Sequence, residues 1–249
     1  METPPTHANP SGGAVGPSCD GARVAFFGGS FDPPHLGHIA VARAASDALH
    51  LDRVLFAPVG AQPLKPTGST APFADRVAMT ELAIAGESGF EISLADAPNA
   101  AGQPNYTLET LRRLRAGLPA GGCLFCLMGA DSFASLRRWK GSAEIPFTAA
   151  LIVASRPGQR LDDFARFLPQ GLTIEPLPGS PVSIELSSFL IRNPAGETAP
   201  FYVLPGLHIE ISASDIRAQV RSSSHDAVAV NSLLPATVAD YIRTRALYR

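Results

Sequence analysis

Apolar positions in this chain come in short runs that alternate with amphipathic stretches, and that alternation sets the expectation for the fold. From Arg23 onward, Val24-Ala-Phe-Phe27 reads as a buried strand, Leu36 to His50 as a helix and Val54-Leu-Phe-Ala57 as a second strand. A helix from Phe73 to Ala85, a strand from Glu91 to Leu94, a helix from Leu108 to Leu114 and the strand Cys123 to Met128 follow. A short helix through Trp139 and the strand Ala149 to Val153 complete the regular part. Short apolar strands alternating with helices predict a parallel sheet covered on both faces, so the chain is expected to be α/β, a Rossmann-like doubly wound parallel sheet. Beyond Arg156 proline-rich turns separate the apolar runs Ser183 to Ile191 and Phe201 to Leu204 and the segment Ile209-Glu-Ile211. Two helices close the chain as a small C-terminal helical part. One starts near Ser212; the other runs from Pro235 to Leu247, with proline at its first turn, where no amide partner is lost.

Composition narrows the class. Residues 1–21 are rich in Pro, Gly, Ser, Thr and Ala without a hydrophobic period, which predicts a disordered tail ahead of one domain over 22–249. No run approaches the ~20 apolar residues of a membrane span and no secretion signal opens the chain, so a cytoplasmic protein without a membrane partner is expected. A formal net charge of −2 with scattered arginines offers no broad basic face, so no nucleic-acid partner is expected, although a local pocket for one small anion remains open. Cys123 and Cys126 form a C-x-x-C inside one apolar run. Positions three apart on a strand face opposite ways, so two packed thiols are expected rather than a zinc or redox site, and Cys19, in the tail, is expected to have no disulfide partner.

The chemistry concentrates in Phe27-Gly-Gly-Ser-Phe-Asp-Pro-Pro-His-Leu-Gly-His38, directly after the first strand and before the first helix. Gly28 and Gly29 let backbone approach a ligand, and a strand-to-helix turn aims free amides and the positive helix end at it, which suits phosphate. His35 and His38, three apart, can share a face. With no carboxylate or cysteine beside them at metal-ligand spacing, they read as hydrogen-bond donors to phosphate oxygens. Near the C-terminus, Ile211-Ser-Ala-Ser-Asp-Ile-Arg217 offers the Ser212 and Ser214 hydroxyls and the planar donor fork of Arg217 at another helix start.

The first segment closely resembles the H-x-G-H signature of the nucleotidyltransferase superfamily, and the second resembles its I-S-S-T-x-I-R element. From about Val24 to Tyr248 the chain is similar to bacterial nicotinate-nucleotide adenylyltransferases. The matches are Pro63-Leu-Lys65, Arg76 with Met79, Asn105-Tyr-Thr-Leu-Glu-Thr-Leu111, Met128-Gly-Ala-Asp-Ser132 with Trp139, Ser155-Arg-Pro-Gly158 and the ending Leu234 to Tyr248. Compared with that family, Leu64 stands where a histidine is common and Ser30 where a threonine is common. About fifty residues separate Arg156 from the second signature, so 178–205 is expected to be an insertion, with an extra hairpin, a lid and an oligomer contact all open as its role.

The resemblance implies adenylyl transfer from ATP to nicotinate mononucleotide, giving deamido-NAD and pyrophosphate, a step of NAD biosynthesis, with Mg²⁺ carried mainly by ATP. It implies an ATP site of Gly28, Gly29, Ser30, Phe31, His35, His38, Asp131, Ser212, Ser214 and Arg217, with His35, His38 and Arg217 catalytic. For the mononucleotide it implies Tyr106 and Trp139 as the aromatic surface, Thr107 and nearby amides for the ring carboxylate, and Lys65 or Arg156 for the phosphate or carboxylate. Asp131 would meet ribose hydroxyls or a metal-bound water. Nicotinamide mononucleotide and phosphopantetheine are the rival acceptors, and a non-catalytic nucleotide sensor is the rival of another class. A homo-oligomer is compatible with the sequence.

Overall fold

Val24, Ala25, Phe26 and Phe27 are all buried, and the strand they form, β1 (Arg23–Gly29), lies inside an eight-stranded sheet. The computed structural model describes residues 19–64, 68–99, 102–155, 164–177, 186–204, 211–222 and 232–249. After β1 come α1 (Leu36–Leu49), β2 (Arg53–Pro58), α2 (Phe73–Ile84), β3 (Phe90–Ile92), α3 (Thr107–Ala116) and β4 (Cys123–Gly129). They are followed by α4 (Ala130–Ala134), a 3-10 turn (Leu136–Arg138), α5 (Ile145–Thr148) and β5 (Ala150–Ala154). β6 (Thr173–Pro176), β7 (Ser187–Arg192), β8 (Thr198–Leu204), α6 (Ala213–Ser222) and α7 (Ala236–Thr244) complete the described elements.

The strand order is β3-β2-β1-β4-β5-β8-β7-β6. The first six pair in parallel, as the apolar runs predict, while β7 and β6 extend the sheet antiparallel. β6 is not legible as a strand in the sequence because it is a short edge strand with partly exposed positions and ends in a proline, which cannot donate to a ladder. Within 178–205, the residues from Leu186 onward hold β7 and β8. β8 lies beside β5 and buries Phe201, Tyr202, Val203 and Leu204, so this part is continuous with the central sheet. Of the Ile209-Glu-Ile211 segment only Ile211 lies among the described residues, and it belongs to no strand.

Alternation along the strands feeds two cores. Ala25, Phe27, Phe125 and Leu127 pack on one face with Ile39 and Ala42 of α1, Met79 of α2, Ile216 of α6 and Val238 of α7. Phe26, Leu124, Cys126 and Met128 pack on the other with Leu108 and Leu111 of α3, Phe133 of α4 and Ile145 of α5. Helices thus cover both faces, the doubly wound arrangement. The order reverses between β1 and β4, where the crossovers leave to opposite sides and a crevice opens at the carboxyl ends of the strands.

The tail expectation needs a correction. The chain from Cys19 already belongs to the fold: the Gly21 amide donates to the Gly121 carbonyl at 3.1 Å, and the Cys123 amide donates to the Ala22 carbonyl at 2.8 Å. This brings Cys19 and Cys123 to a Cα separation of 5.8 Å, and they form a disulfide, contrary to the expectation of free thiols. Cys126 is the free, buried cysteine among the described residues, and burial pushes its thiol up to about 12.

Candidate active site

The first signature forms the turn from the end of β1 to the start of α1. A Cβ added at Gly28 would lie 2.7 Å from the buried Phe26 ring, so a side chain there would require that ring to shift. Phe31 adopts φ +46, a left-handed conformation that costs a bulky residue energy and persists only where the surroundings impose it. Its ring is 1% exposed and packs on Phe27, Phe56 and His38 at centroid distances of 5.6, 5.6 and 5.0 Å. Arg76 holds the turn from below. Its buried guanidinium donates to the carbonyls of Ser30 at 2.7 Å, Val59 at 2.8 Å and Ala71 at 3.3 Å, tying the turn to the end of β2 and the start of α2.

His35 caps α1 in an extended conformation, and its ring stacks on His38 with centroids 3.7 Å apart. The His35 amide donates to His38 Nδ1 at 3.2 Å, which leaves the proton of neutral His38 on Nε2. His35 Nδ1 is buried without a hydrogen-bond partner, the kind of atom a ligand would satisfy. Burial lowers His35 to about 4 and His38 well below its ordinary value, the latter also through repulsion from His35. Both rings are therefore neutral at pH 7 without a ligand, each keeping one N–H to offer.

The second signature faces the first across the crevice. The Ser212 hydroxyl accepts from the Ser214 amide at 3.2 Å at the start of α6. Arg217, one turn on, donates Nη2 to the Ser214 hydroxyl at 3.2 Å and Nη1 to the Asp32 carbonyl at 2.7 Å. Two helix starts and a guanidinium so converge where an extended anion would lie.

The opposite wall carries the aromatic groups. Asn105 braces the loop before α3: its amide donates to the Ala61 carbonyl at 3.1 Å, its Oδ1 accepts from the Ala61 amide at 3.2 Å and its Nδ2 donates to the Ala97 carbonyl at 3.0 Å. Tyr106 and Thr107 follow at the α3 start. Trp139 donates Nε1 to the Ser135 hydroxyl at 2.9 Å, which anchors the indole beside the crevice. The Lys140 ammonium lies 4.1 Å from the Tyr106 ring centroid and 2.9 Å from Glu109, so it adds a cation to this wall. Asp96 is buried here and accepts from the Thr110 hydroxyl at 2.5 Å; burial raises its carboxyl above the usual range.

One cleft of about 1530 Å³ gathers Gly28, Gly29, Ser30, Phe31, His35, His38, Tyr106, Thr107, Asp131, Trp139, Ser212, Ser214 and Arg217. Lys65 and Arg156 lie outside the described residues. Phe31, with its ring in the core, offers its main chain. Sequence reasoning missed Asp32, Lys140 and Ser135 as parts of this wall, and assigned no role to Arg76 or Tyr248 although both lie in matched segments. Only Asp32, inside the first signature, carries a local signal. The others depend on which segments the fold juxtaposes.

The Cytidylyltransferase-like family model matches residues 26–219. The chain is 38% identical over 170 residues to the probable nicotinate-nucleotide adenylyltransferase of Solibacter usitatus, covering 68% of this chain and 85% of that protein. It is 35% identical over 228 residues to the protein of the same description from Chromobacterium violaceum, covering 92% and 99%. Among solved structures, Plasmodium falciparum nicotinic acid mononucleotide adenylyltransferase complexed with NaAD superposes with a TM-score of 0.66 at 16% identity, over 91% of this chain and 97% of that one, a likeness of fold.

Proposed function

From the premise that the chain belongs to the nicotinate-nucleotide adenylyltransferase family, we propose that it joins the AMP part of ATP to the phosphate of nicotinate mononucleotide, releasing pyrophosphate and deamido-NAD. The observation that carries the reading is the meeting, in one cleft, of two phosphate-suited helix starts with an aromatic wall bearing a cation. A phosphate oxygen of the mononucleotide attacks the α-phosphorus of ATP in line. The new P–O bond forms as the bond from the α-phosphorus to the bridging oxygen breaks, and the electron pair leaves with pyrophosphate. A phosphate monoester has a second pKa of about 6, so the nucleophile is already ionised at neutral pH and needs no general base.

The protein's task is positioning and charge stabilisation. His35 and His38 donate from neutral rings to the transferring phosphates, and an arriving anion raises their pKa toward the protonated form. Arg217, Ser212 and Ser214 hold the leaving phosphates. Tyr106 and Trp139 face the nicotinate ring, Thr107 lies at an α3 start suited to its carboxylate, and the Lys140 cation favours a carboxylate over an uncharged amide. Asp131, in the first turn after β4, meets the ribose hydroxyls. The cleft's phosphate-suited groups are neutral donors and a guanidinium, so Mg²⁺ would be held mainly by ATP oxygens and water. When bound, that ion would supply neutralisation of phosphate charge.

The test is pyrophosphate release from purified protein with Mg²⁺, ATP and, in separate reactions, nicotinate mononucleotide, nicotinamide mononucleotide and phosphopantetheine. Preference for the nicotinate acceptor is expected. Preference for the amide would overturn the carboxylate assignment, and absence of turnover with all three would leave a nucleotide sensor.

A further inference from the structure

Arg217 is held by a residue that is itself held by the far end of the chain. Asp32 is 4% exposed, and its carboxylate accepts from the Thr70 amide at 2.6 Å and the Ala71 amide at 3.0 Å. A third donor is the Tyr248 hydroxyl, at 2.8 Å and 216 residues further along the sequence. Tyr248 is itself buried, and burial together with Asp32 raises its phenol far above the ordinary range, so the hydroxyl keeps its proton and acts as a donor. Arg217 approaches the same residue differently: Nη1 bonds the Asp32 carbonyl at 2.7 Å but stands 4.0 Å from carboxylate Oδ2.

That geometry has a directional consequence. A buried carboxylate takes whatever donors are in reach, because leaving its charge uncompensated is costly. With two amides and the Tyr248 hydroxyl on Asp32, the guanidinium stays on the main-chain carbonyl with its second amino group on Ser214, at the mouth of the phosphate site. Without the hydroxyl, Arg217, 4.0 Å away, is a cation able to close on the carboxylate, and closing draws it away from Ser214 and the cleft.

We propose that Tyr248 is a positioning residue for adenylyl transfer: by occupying the Asp32 carboxylate it keeps the Arg217 guanidinium free to face the phosphates of ATP. The proposal rests on the reading that the α6 start binds ATP. It places the penultimate residue of the chain in the reaction without contact to substrate.

The experiment compares wild type, Tyr248→Phe and Val238→Ala, the last a core change on α7 that lowers stability without touching Asp32. Thermal midpoints, MgATP affinity by calorimetry, and kcat and KM for both substrates are measured well below all midpoints. Tyr248→Phe is expected to weaken MgATP binding and lower kcat/KM for ATP by about tenfold, the scale of one hydrogen bond to a charged group, with KM for the mononucleotide unchanged. Val238→Ala is expected to behave as wild type in both readouts. Wild-type ATP parameters in folded Tyr248→Phe, or an equal loss in Val238→Ala, would overturn the proposal. Should Tyr248→Phe fail to fold, Tyr248→His, which keeps a ring N–H as a donor for the Asp32 carboxylate, is expected to leave MgATP affinity within about twofold of wild type, and a tenfold loss in that variant when folded would overturn it. Wild type that binds MgATP but turns over none of the acceptors would sink the functional reading alone, while the calorimetric comparison would still decide the role of Tyr248.

Discussion

The His35 and His38 rings, 3.7 Å apart and proposed to meet phosphate, set two expectations at the scale of single residues. Replacing His38 with alanine removes the donor proposed to face the transferring group, so kcat is expected to fall by roughly 10²–10³-fold with KM for ATP changed far less. Steady-state pyrophosphate release checks this, and near-normal turnover would refute the assignment. The second concerns pH. In the unfolded chain a histidine takes up its proton near 6.5, whereas folded His35 does so only at about 4. Between those values the unfolded state holds the extra proton, so stability is full above pH 6.5 and is lost as pH falls towards 4, by about 3 kcal/mol for this residue. Denaturant midpoints of the ligand-free protein at pH 7.5 and 4.5 measure it, and His35→Asn is expected to flatten the difference. At the aromatic wall, Lys140→Gln is expected to reduce the preference for nicotinate over nicotinamide mononucleotide several-fold, by raising KM for the charged acceptor; an unaltered ratio would remove Lys140 from recognition.

Helices matter here chiefly for what their first turns and inner faces hold. α1 and α6 bring their N-terminal ends to the cleft, while α2 contributes from behind through Arg76, a guanidinium spent entirely on backbone carbonyls. Cutting Arg76 to alanine strands three acceptors, two of them in the phosphate turn and the end of β2. A loss of at least about 3 kcal/mol, or roughly 10 °C in Tm, is expected by calorimetric melting. Lysine at the same position is expected to recover only part of it, since an ammonium lacks the planar fork that reaches all three. α2 also meets α7 through Asp75, which accepts from the Tyr241 hydroxyl at 2.9 Å and from Arg245 Nε at 3.3 Å. The helix that leads to Tyr248 is thus seated on the helix that braces the turn.

For the whole molecule, two long-range ties stand out. The Cys19–Cys123 disulfide closes a loop spanning 104 residues and fastens the segment before β1 to the start of β4. Cross-linking so long a loop restricts the unfolded chain and is worth up to about 4.7 kcal/mol on entropic grounds. Thiol titration of the denatured, unreduced protein is therefore expected to find one free cysteine, Cys126. A reductant, or Cys19→Ser, is expected to lower the denaturant midpoint; three free thiols in the oxidised protein would disprove the pairing. The other tie is Tyr248 to Asp32, joining the last turn of the chain to the first. Together they place both ends of the described chain against the β1 and β4 half of the sheet, the half that bears the cleft.

Local pattern was sufficient for what depends on neighbours in sequence. Continuous apolar runs as short as Val24–Phe27 and Cys123–Met128, bounded by turn residues, read as strands buried on both faces, and the glycine turn with His35 and His38 carries its phosphate-suited groups within twelve residues. Hence the parallel sheet and the two signature turns that line the cleft were legible from the chain alone. Contacts between distant segments were not. No spacing rule links Cys19 to Cys123, Arg76 to the Ser30 carbonyl or Tyr248 to Asp32, because each pair meets only after the sheet has set the positions of strands and helices. The antiparallel β6 and β7 belong to the same class, since an edge strand is defined by the neighbour it finds. Residue type and order determined which chemistry is present, and tertiary packing decided which groups hold it in place, because hydrogen bonds and disulfides act over ångströms in space and not along the sequence.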